Sequence, residues 1–324
     1  MAKEFMLAML MLCRILAISA KSGEGSSRIF FPLVDSGIPQ YPFKITVYGI
    51  PIFATEEWSR YKLNHVASVL AELLDQDEDG CADDPLLLNT ILEHREPGEC
   101  FGPAIILDSH DPEDIEISLE MVTRNTKRAT EYFSPCIYFA NSEDETWPEC
   151  MESNRDTNCS DSTTEQLFYY LYATGLSETY PGIFGADWEY QSDLSVAMDV
   201  ARGGYFENIP NEYPAVAWYR NTMPNCDYFC QANIYLWWGY CVFSGMCQKL
   251  SGLSNYEREF KYLTKSELEN NDIKLSKLFQ DSGNGYILPS KQVNGKYYGH
   301  ETCPSGLNHG GDSFTDFIEL LELV

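Results

Sequence analysis

Between Asp227 and Lys249 the chain reads YFCQANIYLWWGYCVFSGMCQ, a stretch without one formal charge. A run of that length and character must either cross a bilayer or be enclosed by protein on all sides. Gln231, Asn233 and Gln248 are costly in lipid, and Cys230, Cys241 and Cys247 lie within it. We therefore read a buried helix over about 227–250, around which the rest of the chain has to fold. The 324 residues are 44% hydrophobic and 14% aromatic, enough apolar matter for such an enclosure and well outside the composition of disordered chains. Against 22 Lys and Arg stand 49 Asp and Glu, a formal charge of −27. A polyphosphate or an anionic membrane surface would repel this chain, so nucleic acid and membrane are excluded as partners. Cations, small molecules and other proteins remain.

The chain carries 11 cysteines. Residues 5–20, FMLAMLMLCRILAISA, follow Lys3 and end in small residues, which predicts a secretory signal over residues 1–20, although Glu4 and Arg14 break its pattern. Its removal takes away Cys13 and leaves an even number of thiols, as expected of an extracellular, disulfide-bonded protein. Asn158-Cys159-Ser160 is a formal glycosylation sequon that a disulfide at Cys159 would block.

Periodicity places the remaining elements. Prolines at 32, 39, 42 and 51 break a β-branched and aromatic stretch into short strands. Leu63, Val66, Leu70, Leu73 and Leu74 share one face of a helix over about 57–74, with His65, Ser68 and Glu72 opposite and therefore expected in solvent. Pro85 opens a second helix. Residues 104–107 and 134–141 read as strands, 111–130 as a charged helix and 142–161 as an acidic loop. Ser162 and Glu165 have capping-box spacing for a helix that should end at Gly175, and 192–202 is a helix stopped by Gly203-Gly204. Residues 313–323 are amphipathic. No repeat or linker divides the chain. The expected fold is α+β, a mostly helical single domain over 21–324 with a small sheet and several disulfides.

The sharpest motif is DQDEDGCADDPL, residues 75–86. Asp75, Asp77 and Asp79 occupy the first, third and fifth positions of an EF-hand-like loop, with Gly80 at the sixth, where a positive φ bends the chain back. The carbonyl of Cys81 and the carboxylate of Asp83 complete a set of oxygens suited to a hard cation, calcium or magnesium. Helices over 62–74 and 85–93 flank it. Leu86 stands where a bidentate glutamate is expected, with Asp84 as a substitute, so binding should be weak, on the order of 0.1–1 mM. The alternative is an acidic, solvated turn.

No zinc-hydrolase, nucleophile-elbow, phosphate-loop or dinucleotide motif is present, so no flavin or nicotinamide cofactor is expected. The candidates for catalysis are Glu165, His300 and His309, each with a structural alternative: the capping box for Glu165, and a surface loop near Cys303 for the two histidines. Aromatic residues crowd 168–172 and 228–243 beyond what one face of each helix could bury. Core packing accounts for most of them.

The segments IPQYPFKITVYGIPIFAT (Ile38 to Thr55), ASVLAELLDQDEDGCADDP (Ala67 to Pro85) and AMDVARGGYFENIP (Ala197 to Pro210) resemble secreted proteins of marine invertebrates. In overall character and length the chain is similar to the luciferases of bioluminescent syllid fireworms. That resemblance implies oxygen-dependent oxidation of a small luciferin with light emission, assisted by a divalent cation. It implies an aromatic pocket that excludes water, for which Tyr169, Tyr235, Trp237 and Trp238 are the expected walls, and a base near the substrate. The competing expectations are a non-enzymatic extracellular calcium-binding protein and a peptidase-like fold that lacks its zinc histidines, with Glu165 on the position of the zinc helix.

Overall fold

The computed structural model describes residues 31–93 (except 38, 40 and 57), 104–107, 137–140, 163–186, 191–223, 226–247, 259–280 and 285–299. Five strands form one sheet in the order β1 (Val34–Asp35), β2 (Phe43–Val47), β3 (Ile50–Ala54), β4 (Ala104–Leu107), β5 (Ile137–Ala140). The first three are joined antiparallel, and β3, β4 and β5 run parallel. Parallel neighbours need a crossover. Between β3 and β4 it carries α1 (Arg60–Leu74) and α2 (Pro85–Glu93), so the acidic loop is the elbow of that crossover. The chain is α+β, as its pattern of elements predicts.

Ser59 caps α1 by accepting from the Lys62 N–H at 3.3 Å, and every residue from Leu63 to Leu74 is buried. Its leucine face meets the sheet, where Ile45, Val47, Ile50 and Ile52 point inward. The opposite face is covered as well: His65, Ser68 and Glu72 are buried, not solvated as their polarity predicted. The cover is the extended segment 285–299. Gly295 lies so close to His65 that a Cβ there would stand 2.1 Å from Nδ1, and its φ of +69° favours glycine for a second reason.

The second half is helical. α3 (Thr163–Leu171) does not end at Gly175: it widens into a π-helical turn (Tyr172–Leu176) and continues as α4 (Ser177–Thr179), which stops at Tyr180 before a separate short helix, α5 (Pro181–Phe184). Packing explains the glycine within this turn, because a Cβ on Gly175 would meet Leu87 Cδ1 of α2 at 2.5 Å. Residue 162, and with it the expected capping box, lies outside the described residues. α6 (Asp193–Arg202) ends on left-handed Gly203, as the sequence predicts.

The uncharged run is α7 (Tyr228–Phe243), buried around most of its circumference by α3, α6, α8 (Lys265–Asn271) and α9 (Ile273–Gln280). Disulfides Cys226–Cys230 and Cys241–Cys247 close both of its ends. Cys81 is disulfide-bonded too. Among the described residues no helix is long and apolar enough to cross a membrane. One apolar cluster runs from Phe31 to Tyr297.

Candidate cation loop and its surroundings

The acidic loop leaves the last turn of α1 at Asp75 and enters α2 at Pro85. Gly80 has φ +90°, the turn expected at the sixth position, and Glu78 adopts +57°. Asp75 is fully buried. Its Oδ2 accepts from the Gly80 N–H and the Tyr48 hydroxyl, each at 2.8 Å, and from the Tyr297 hydroxyl, while Oδ1 accepts from the Asp79 N–H at 3.2 Å. These bonds fold the loop around its first carboxylate. Single carboxylate oxygens of Asp75, Asp77 and Asp83 lie within 4.8 Å of one another. Asp79 does not belong to that group; its Oδ1 accepts from the Cys81 N–H at 2.8 Å.

Asp84 and Leu86 do not supply the missing bidentate ligand. Asp84 caps α2, accepting from the Leu87 N–H at 3.0 Å, from the Tyr180 hydroxyl at 2.8 Å and from the Ile287 N–H at 3.2 Å. Leu86 faces solvent. The cap is the reason: α2 starts directly after the loop, and its free N–H groups claim the carboxylate that a cation would otherwise use.

Burial moves the titrations here. Desolvation pushes Glu72, Glu78 and Asp83 above the usual carboxylate range, and for Glu78 and Asp83 the neighbouring acids add to it. Backbone donors oppose the shift of Glu72: the N–H groups of Asn294, Gly295 and Lys296 reach its carboxylate at 2.6, 3.1 and 2.7 Å. Tyr48 and Tyr297, with hydroxyls 2.7 Å apart, are raised by burial and by their bonds at Asp75, which keeps both phenols protonated donors.

Of the expected pocket walls, Tyr169 and Trp237 come together edge to face at 6.2 Å, and the Tyr169 hydroxyl donates to Glu165 at 2.5 Å. Tyr235 and Trp238 pack elsewhere in the core: Tyr235 donates to Asp272 at 2.7 Å, and Trp238 stacks on Phe260. An open cleft of about 510 Å³ lies instead beside the acidic loop, between Asp83, Asp84, Leu86 and Ile287. His300 and His309 lie outside the described residues. Sequence reasoning passed over Tyr48, Glu72, Gln76 and Tyr297, because what makes them part of the site is a contact with residues more than 200 positions away or, for Tyr48, 27.

Comparison of the chain with protein-family models, with curated proteins and with solved structures gives no match.

Proposed function

We propose that this is a secreted, single-domain protein whose EF-hand-like loop binds one divalent cation, calcium or magnesium, and whose fold that cation stabilises. The convergence of Asp75, Asp77 and Asp83 within 4.8 Å carries the reading. Three carboxylates so placed repel one another, and a hard cation turns that repulsion into coordination. The loop's backbone donors and the Tyr48 and Tyr297 hydroxyls orient Asp75 beforehand, leaving carboxylate oxygens and the loop carbonyls for the ion. Disulfides at Cys226–Cys230 and Cys241–Cys247 support an oxidising, extracellular compartment, where calcium is abundant.

Calorimetric titration of chelator-treated protein with calcium and, separately, magnesium tests the proposal. One site with a dissociation constant on the order of 0.1–1 mM is expected, weakened about 10-fold or more by Asp77→Asn. Absence of binding heat with both ions, or equal binding by the variant, sinks it.

The second reading is enzymatic: oxidation of a small luciferin by oxygen, with emission of light. Beyond the resemblance, the Tyr169–Glu165 pair beside Trp237 favours it, since a carboxylate sharing a proton with a phenol next to an indole is suited to deprotonating a flat aromatic substrate. Recombinant protein mixed with luminous extract and oxygen, with calcium and magnesium present, should emit photons. Emission should fall by about 100-fold or more in Glu165→Gln. A dark reaction rejects this reading and leaves the cation proposal standing.

A further inference from the structure

The segment 285–299 has no helix or strand, yet it donates repeatedly to α1, the acidic loop and the cap of α2. Ile287 N–H donates to Asp84 at 3.2 Å, and Ser290 N–H to Gln76 Oε1 at 2.7 Å. Lys291 adds two bonds to Gln76, from its N–H at 3.3 Å and from Nζ to the backbone carbonyl at 2.8 Å. Asn294, Gly295 and Lys296 give their N–H groups to Glu72, and Tyr297 gives its hydroxyl to Asp75.

The acceptors belong to three different pieces of backbone. Glu72 sits in the last turn of α1, Asp75 and Gln76 in the loop, and Asp84 at the cap of α2. A segment bound at all three docks only when α1, loop and α2 hold one relative geometry. That geometry is also the one that gathers Asp75, Asp77 and Asp83. Asp75 belongs to both sets. Repulsion among the three carboxylates works against that geometry, and a cation that draws them together works for it.

We propose that cation binding in the loop and docking of segment 285–299 are one coupled equilibrium, in which the ion locks the segment and the docked segment raises the affinity for the ion. This rests on the cation reading above. Linkage makes the coupling reciprocal: whatever factor the ion contributes to docking, docking contributes to ion affinity.

Trypsin reads the docking directly, because Lys291 and Lys296 lie in the segment and cleavage there requires local release. Full-length, disulfide-intact protein is digested briefly in excess calcium or in chelator, and cuts after the two lysines are counted by mass spectrometry. Calcium should slow them at least about 5-fold relative to cuts elsewhere, the lower end of ordinary coupling between sites. Gln76→Ala, which removes the bonds that Oε1 accepts from the Ser290 and Lys291 N–H groups, keeps the backbone carbonyl bonded to Lys291 Nζ and touches no carboxylate, should speed both cuts in calcium and weaken calcium binding by about 5-fold or more. Calcium binding with unchanged cleavage at Lys291 and Lys296, or Gln76→Ala with wild-type affinity, overturns the coupling alone. No calcium binding at all removes both the coupling and the reading beneath it.

Discussion

Asp272 shows how one buried carboxylate sets a pH dependence away from the cation loop. Both Trp218 Nε1 and the Tyr235 hydroxyl donate to its Oδ2 at 2.7 Å, and the Leu275 N–H reaches Oδ1 at 3.3 Å. Burial nevertheless raises its pKa above the usual aspartate value, outweighing the three donors. A raised pKa means that the folded state holds its proton longer than the unfolded chain does. The contribution is therefore fully present below about pH 4, the unfolded value, and is lost as pH rises through the folded one. Relative to Asp272→Asn, the wild type should lose about 1.4 kcal/mol per pH unit across that window. Melting of both proteins from pH 4 upward checks it, and a constant difference between them would show that Asp272 is ionised throughout. Arg202 is a buried cation. It pairs with Asp199 at 2.6 Å, donates to the Phe206 carbonyl at 2.8 Å and lies over the Tyr228 ring. Arg202→Ala leaves Asp199 without its cation and should cost about 3–5 kcal/mol in denaturant unfolding.

At the scale of elements, Gly175 is where α2 and the π-helical turn come closest. Gly175→Ala forces a methyl group against Leu87 and Ile91, with about 1–3 kcal/mol of destabilisation expected from overpacking. A loss below about 0.5 kcal/mol, the scale of an ordinary surface substitution, would mean that α2 yields easily. The glycine's role also marks a limit of local pattern. Gly175 has the residue type of a helix stop, and only the presence of Leu87 makes it a packing site in a continuing helix. The same holds for α1, whose polar stripe of His65, Ser68 and Glu72 reads as solvated until a segment more than 200 positions away covers it. Helices with a clear apolar face, the strand at 104–107 and the uncharged run were legible, since each carries its own period or length. The acidic loop was legible for a related reason: ligand spacing is local. Its departures were not. Asp79 turned to Cys81, and Asp84 was taken by a helix cap, because backbone donors nearby compete with a cation for the same oxygens.

Over the whole molecule, charge and covalent links pull in different directions. A formal charge of −27 favours expansion, and both disulfides between described residues span few residues, 4 and 6 apart in sequence. Loops that short restrict the unfolded chain by only about 2 kcal/mol each. These two links therefore leave most of the holding to other contacts, to which the proposed cation would add. With a dissociation constant of 0.1–1 mM, 10 mM calcium should stabilise the folded protein by about 1.4–2.7 kcal/mol over the chelated form. The melting temperature should rise with calcium concentration, and rise less at each concentration in Asp77→Asn.

The hydroxyls of Tyr48 and Tyr297, 249 positions apart in sequence, meet over Asp75. At ribosomal rates of roughly 5–20 residues per second, about 12–50 s of synthesis separate the two tyrosines. Through that interval the sheet's first hairpin and the acidic loop exist as nascent chain without the residue that closes them. A translation product truncated before Tyr297 would leave the carboxylate of Asp75 short of one of its donors, so residue 75 acquires its full set of bonds only once residue 297 has been made.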